Sequence, residues 1–106
     1  MFKHVGPPLF KPAKGQFQIY YNYQGNQPEY VPDFVIETDS YYLLAETKAN
    51  NEVGNEEVQT KANAGAEWCR NASTVANKPW HYLLIPHDEV MESKELDDYL
   101  RFKISV

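Results

Sequence analysis

The sequence predicts an α/β domain in which a mixed β-sheet is flanked by helices, with the element order β-β-β-α-β-α. Three observations predict this class. The first half of the chain carries three segments rich in aromatic and β-branched residues, a helical pattern follows them, and another apolar segment of strand length comes after the helix. A strand that follows another strand through a helix normally lies parallel to it, so we expect a mixed sheet.

Residues 1–15 are expected to form a flexible, basic lead-in. They contain Gly6-Pro7-Pro8, and prolines beside glycine disfavour regular structure. Residues 16–106 then form a single domain, because 106 residues leave room for one domain and not two. We also expect the chain to be a fragment of a longer protein, since a natural domain seldom begins with such a stretch.

Three strands are predicted before the helix. Residues 16–23 alternate between two faces and end at a turn. Residues 30–37 form the second strand, in which Pro32 belongs at the start, at an edge or beside a bulge. Residues 41–48 form the third strand, whose first half is apolar on both faces, which is typical of a central strand covered on both sides.

The second half of the chain predicts a helix, a strand and another helix. Asn55 is a candidate N-cap for a helix that runs to about residue 72. Its candidate core positions follow helical spacing: Val58, Ala62, Gly65 or Ala66, and Cys69. Residues 80–86 form the fourth strand, and residues 88–102 are expected to form a second helix on the surface.

Charge and cysteine content restrict the classes of function. Residues 1–28 carry three lysines and no acid, which gives +3, whereas residues 29–106 carry fifteen acids against seven bases, which gives −8. A domain that binds duplex DNA by itself usually has a basic face, so this acidic body fits a metal-using domain that gains substrate affinity elsewhere, or a plain soluble domain. One cysteine excludes an internal disulfide. No apolar run reaches the roughly 20 residues of a membrane-spanning helix, and the cytoplasm is the expected compartment.

The residues that point to chemistry are Asp33, which follows Pro32, and the run Glu46-Thr47-Lys48. Glu46 and Lys48 share a face of the third strand because successive strand residues point to opposite faces. A loop of two or four residues between the second and third strands places Asp33 opposite Glu46, whereas a three-residue loop puts them on opposite faces. Carboxylates that face each other across a sheet repel. The positive charges of Lys48 and of a divalent cation such as Mg²⁺ or Mn²⁺ would balance their negative charge.

Phosphodiester hydrolysis suits this group of residues, because a divalent cation activates water and stabilises charge on a phosphoryl oxygen. Lys48 would position the water and stabilise the developing charge, since lysine is a poor base unless burial lowers its pKa. Both sequence patterns are short and also occur by chance. Two other classes therefore stay open: a non-catalytic module that binds DNA or a partner, and an unrelated α/β interaction domain in which the three residues form a surface salt-bridge patch.

The motif residues resemble those of the PD-(D/E)xK nucleases. The runs YVPDFVIE, LLAETK, EEVQTKANAGAEWC and WHYLLIP look like the C-terminal endonuclease domain of the Res subunit of type III restriction enzymes, over residues 17–87. This resemblance implies a restriction-endonuclease-like core and a Mg²⁺-dependent endonuclease, with Mn²⁺ as a substitute, that cuts double-stranded DNA. It also implies a helicase-like ATPase region in the same parent protein and a methyltransferase subunit that reads the DNA sequence. ATP would act only through that motor, whose GKS/T phosphate loop this chain lacks.

The resemblance assigns a role to each motif residue. Asp33 and Glu46 become metal ligands, the backbone carbonyl of Thr47 becomes a further ligand, and Lys48 orients the nucleophilic water. Many family members add a glutamate from a helix before the first strand. This chain departs from them because it has no acid before Glu29, so either that helix lies outside the chain or the site has fewer acids.

Other polar residues have a functional and a plainer interpretation. Gln59 and Lys61 are candidate substrate contacts, because the corresponding helix in the superfamily often carries a polar or basic residue near the site; a solvated helix face is the plainer interpretation. The tyrosines of the strands fit sheet packing better than base stacking. Cys69 fits a core position, and the spacing of His81 and His87 is not one that zinc sites use.

Overall fold

The computed structural model describes residues 9–91 and 94–105. The elements in this part of the chain are β1 (Leu9–Phe10), β2 (Ile19–Tyr20), β3 (Glu29–Tyr30), β4 (Phe34–Glu37), β5 (Tyr42–Lys48), α1 (Glu56–Ser73), β6 (Trp80–Pro86) and two 3₁₀ helices, His87–Glu89 and Leu96–Phe102. They confirm the α/β class with a mixed sheet. None of the helices in this part of the chain could span a lipid bilayer.

The main sheet has four strands in the order β1-β4-β5-β6. Strands β4 and β5 form an antiparallel hairpin that pairs Phe34 with Ala45, and β5 and β6 are parallel. Both features are predicted from the sequence. The hairpin has the register that a loop of two or four residues requires, so the chain before β4 runs past the end of β5, where Glu46, Thr47 and Lys48 lie.

Each face of the main sheet carries its own core. On one face α1 packs against the sheet, together with the small β2–β3 sheet. On the other face the second 3₁₀ helix packs against the sheet through Tyr99, which is fully buried. Strand β5 lies between the two cores, and its residues Leu43, Leu44 and Ala45 have no exposed surface. This confirms the prediction of a central strand covered on both faces.

Helix α1 begins and packs as its sequence predicts. The Asn55 side chain accepts hydrogen bonds from the backbone N–H groups of Glu57 and Val58, at 2.9 and 3.3 Å, which caps the helix. At Gly65 the helix comes so close to the sheet that an added Cβ would lie 2.6 Å from the Tyr82 ring. The absence of a side chain at this position therefore allows the tyrosine to lie beneath the helix.

The predicted strand over residues 16–23 is wrong in extent and in its partner. Only β2 is a strand there, and it pairs with β3 in a separate two-stranded sheet. Gln18 has a positive φ angle of 55°, and this backbone conformation prevents the strand from extending before Ile19. The predicted strand over residues 30–37 is likewise divided into β3 and β4, and Pro32, which has no N–H to donate, lies between them.

The two ends of the chain also differ from expectation. Within the segment expected to be irregular, β1 pairs with β4; residues 1–8, which hold most of the expected basic lead-in, lie outside the described residues. The predicted surface helix over residues 88–102 is wrong, because two 3₁₀ helices occur there. Val90 is extended and ends the first, and a new cap at Glu95, whose backbone N–H donates to the Asp98 carboxylate at 2.8 Å, begins the second.

Candidate metal centre

Asp33, Glu46 and Lys48 come together where β4 begins and β5 ends. Asp33 directly precedes β4, and the hairpin register places it beside the last residues of β5. The Lys48 ammonium lies 3.6 Å from one Glu46 oxygen, Oε2. The patch of two carboxyl groups and one ammonium that the hairpin geometry predicts is therefore present.

The Asp33 carboxylate is held by the neighbouring strand. Its Oδ2 atom accepts a hydrogen bond from the backbone N–H of Thr47 at 3.0 Å and another from the Thr47 hydroxyl at 3.3 Å. The same hydroxyl lies 3.2 Å from Nε2 of His87. These contacts fix the orientation of Asp33 and place Thr47 between it and the first 3₁₀ helix.

The Glu46 carboxyl is buried, with 7% of the residue exposed. Its Oε1 atom accepts a hydrogen bond from the Tyr30 hydroxyl at 2.8 Å, and that hydroxyl lies 2.5 Å from the hydroxyl of Tyr82. Both tyrosines are themselves buried beneath α1. A chain of hydrogen bonds thus runs from the interior of the domain to Glu46 and restrains its rotation.

Burial raises the pKa of the Glu46 carboxyl from its ordinary value of 4.5 to about 7, and the negative charge of Asp33 acts in the same direction. The hydrogen bond from Tyr30 and the charge of Lys48 oppose this rise without cancelling it. Glu46 therefore keeps its proton in mildly acidic solution. Ionisation of Glu46 below about pH 7 therefore needs a further positive charge beside it.

This pair fits a hard divalent cation. Mg²⁺ is commonly bound by one or two carboxylates, with water and substrate phosphates completing its shell. In a strand the N–H and C=O groups of one residue project to the same side, so the Thr47 carbonyl faces the side on which Thr47 donates to Asp33. Residues 9–91 and 94–105 contain no cluster of three or more His, Cys, Asp or Glu side chains that could hold a metal ion. Two carboxylates and a carbonyl are the ligand set that remains.

The two candidate substrate contacts have other partners in the structure. The Gln59 amide donates to the backbone carbonyl of Val53 at 2.6 Å, which ties the first turns of α1 to the preceding loop. The Lys61 ammonium lies 5.6 Å from the centre of the Tyr21 ring. The structure thus gives these two side chains roles in α1 and its packing, away from the Asp33–Glu46 pair.

Sequence reasoning missed the two tyrosines that support Glu46. Tyr30 and Tyr82 belong to different sheets and are separated by more than fifty positions in the sequence. Their pairing depends on β3 folding over the main sheet, which no spacing in the chain reveals. The one available indication is Gly65, because a small residue on the helix face that meets the sheet leaves room for a large partner.

Comparisons with protein-family models, with curated proteins and with solved structures returned no match. The chemistry of this site therefore rests on its own residues and their geometry.

Proposed function

We propose that this chain is a Mg²⁺-dependent DNA endonuclease domain that hydrolyses phosphodiester bonds. The observation that carries the proposal is the hairpin register, which brings the Asp33 carboxylate to the end of β5, where the buried Glu46 carboxyl lies beside the Lys48 ammonium. Two neighbouring carboxyl groups, one of them buried, have the charge and the oxygen ligands for a divalent cation.

Each residue has a definite task in this reaction. Asp33 and Glu46, with the Thr47 carbonyl, would hold the cation, which supplies a Lewis acid for the phosphoryl oxygen and lowers the pKa of the attacking water. Tyr30 keeps the Glu46 carboxyl in place. The Lys48 side chain is partly exposed, so its ammonium can reach the solvent side of the pair, hold the water for in-line attack and stabilise charge on the phosphate.

The architecture supports a restriction-endonuclease-like core as part of the proposal. The Glu46 and Lys48 positions end a central strand that forms a hairpin with the strand after Asp33. The same strand is parallel to the strand that follows α1. This arrangement of a hairpin and a parallel crossover is the one that the resemblance to PD-(D/E)xK nucleases implies.

The wider assembly is proposed on the resemblance to type III Res subunits. The parent protein would supply an ATP-driven, helicase-like motor, a methyltransferase subunit would read the sequence, and double-stranded DNA in the cytoplasm would be the substrate. The charge of residues 29–106, fifteen acids against seven bases, supports this division. An acidic body binds the phosphate backbone weakly by itself and relies on neighbouring parts for DNA affinity.

Calorimetric titration of Mn²⁺ into the chain tests the metal centre. We expect saturable binding in the wild type, and we expect Asp33→Asn and Glu46→Gln to abolish it. Glu52→Gln is the matched control, because Glu52 is exposed and lies in the loop after β5. Equal binding by the wild type and both site variants, or no binding by the wild type, would overturn the proposal.

A non-catalytic module is the second candidate, and the presence of only two clustered carboxylates in the described residues favours it. Cleavage of supercoiled plasmid in Mn²⁺ separates the two, with Lys48→Met as the informative variant. The nuclease proposal expects this variant to keep its Mn²⁺ affinity and lose on the order of a hundredfold in cleavage rate, since it removes one charge-stabilising donor. Metal binding without cleavage by the wild type, alone and within its parent protein, would favour the non-catalytic module.

A further inference from the structure

A second site lies near the start of β6, whereas the candidate metal centre lies beside its end. It is a cavity of about 250 Å³, with walls from the C-terminal half of α1, the first residues of β6 and residues 103–105. The backbone N–H of Ile104 donates to the Tyr82 carbonyl at 3.0 Å, which holds the last described segment against the outer edge of β6. The cavity is thus an open cleft whose walls are parts of the chain that are hydrogen-bonded or packed together.

Basic residues line this cavity, and acidic residues do not. Its titratable lining consists of Arg70, His81, Lys103 and the buried thiol of Cys69, together with the hydroxyl of Tyr82. Burial and then the positive charge of Lys103 lower the pKa of His81, so Lys103 acts on His81 without a compensating carboxylate. The lining of this cavity is therefore positively charged, although the whole chain has a net charge of −5.

Four of the nine lysines and arginines in residues 9–91 and 94–105 form ion pairs with acidic side chains, and five do not. Lys48 pairs with Glu46, Lys78 with Glu37, and both Lys94 and Arg101 with Glu89. Within residues 9–91 and 94–105, neither Arg70 nor Lys103 forms an ion pair, and both side chains belong to exposed residues. Their charges are available to a ligand that enters the cavity.

We propose that this cavity binds a phosphate-bearing ligand, held by Arg70 and Lys103. The planar guanidinium group binds two oxygens of a phosphate at once, and the lysine ammonium adds a point charge. A phosphate monoester is dianionic near neutral pH and balances both cations, whereas a carboxylate leaves one of them unbalanced. The cavity is smaller than a typical drug-sized pocket, so it suits the phosphate with a small attached group.

Two sources share this chemistry: a free nucleotide and the phosphorylated end of a nucleic acid. In either case the site differs from the proposed metal centre, because Glu46 pairs with Leu84, whereas the cavity begins at Trp80. Tyr82 is the structural link between them, since it lines the cavity and its hydroxyl meets the Tyr30 hydroxyl that donates to Glu46.

Titration followed by backbone amide NMR tests the proposal. The probes are inorganic phosphate, adenosine 5′-monophosphate, and a short oligonucleotide with and without a 5′-phosphate; acetate and sodium chloride at the same ionic strength are the controls. The variants are Arg70→Gln and Lys103→Gln. Lys14→Gln is the matched control, because Lys14 is an exposed lysine outside the cavity.

We expect saturable shifts at Cys69, Tyr82 and Ile104 with at least one phosphate probe. Either cavity variant should raise the Kd by about tenfold, the effect of one charge-assisted contact, and Lys14→Gln should leave it unchanged. Tighter binding of the mononucleotide identifies a free nucleotide as the ligand, and tighter binding of the phosphorylated oligonucleotide identifies a nucleic-acid end. The proposal is refuted if no phosphate probe gives saturable shifts, if acetate binds equally well, or if the cavity variants bind as the wild type does.

Discussion

Replacing Glu46 by glutamine should make the protein more stable at alkaline pH. Glutamine mimics the protonated carboxyl, because its amide oxygen can accept from Tyr30 and its amide nitrogen can donate to Asp33. The wild-type carboxyl must instead lose its proton as the pH rises, in a buried position beside another negative charge. The variant removes that ionisation and keeps the size of the side chain.

The magnitude follows from the pKa of Glu46, which is about 7 in the folded protein against an ordinary value of 4.5. Between these values the folded state binds more protons than the unfolded state, so its stability falls as the pH rises. At about 1.4 kcal/mol for each pH unit, the interval corresponds to a loss of about 3 kcal/mol. The stabilising effect of the proton is fully present below pH 4.5 and is lost above about pH 7.

Urea unfolding followed by tryptophan fluorescence, in the presence of a chelator, measures this difference. Glu46→Gln and the wild type should have similar free energies of unfolding at about pH 4, and the variant should be more stable by about 3 kcal/mol at about pH 8. Glu37→Gln is the control, because Glu37 is half exposed and pairs with Lys78 at 2.9 Å. Its effect should be small and destabilising, below about 1 kcal/mol. A Glu46→Gln effect that does not change with pH would refute the reasoning.

Three further substitutions test the framework of the site. Tyr30→Phe should weaken Mn²⁺ binding several-fold near neutral pH, because Glu46 loses the hydrogen bond that lowers its pKa; calorimetry measures this, and an unchanged affinity would contradict it. Gly65→Ala should lower the free energy of unfolding, measured in urea, by about 1–3 kcal/mol, because the new methyl group would overlap the Tyr82 ring. This loss should exceed the gain from the better helix propensity of alanine. A stabilised variant would show that the ring moves aside. Asn55→Ala should cost about 1 kcal/mol in the same assay through loss of the cap, and no change would mean that the helix end finds another acceptor.

Much of the sheet and of the candidate site could be predicted because the decisive information is local. The hairpin between β4 and β5 has a short loop, and its register alone brings Asp33 to Glu46. The apolar run of β5 indicates burial on both faces, and Asn55 with the acids that follow it indicates where α1 begins. These features depend on alternation, loop length and capping, which are all properties of neighbouring residues.

The elements that could not be predicted depend on distant contacts. The Tyr99 hydroxyl accepts a hydrogen bond from the backbone N–H of Met91 at 3.0 Å. This contact between residues eight positions apart fixes the path of the chain there, although the sequence pattern favours one continuous α-helix. Positive φ at Gln18 divides a segment whose composition favours a strand. Tyr30 reaches Glu46 only because β3 lies over the main sheet. Tertiary packing outweighs local preference in each case.

The buried Glu46 carboxyl, close to the charge of Asp33, is difficult to explain by folding alone. A small domain has a net stability of roughly 5–15 kcal/mol, and ionisation of Glu46, which burial and then the charge of Asp33 disfavour, removes about 3 kcal/mol of it above neutral pH. Glutamine at position 46 could accept from Tyr30 and donate to Asp33 without that loss. A structural role is therefore served at least as well by an uncharged side chain, whereas a cation site needs both negative charges. If that argument is right, Mn²⁺ should restore the wild-type stability at about pH 8 and leave Glu46→Gln unchanged. Equal stabilisation of both proteins by Mn²⁺ would show that the ion binds elsewhere. It would contradict the argument that Asp33 and Glu46 are retained as a cation site.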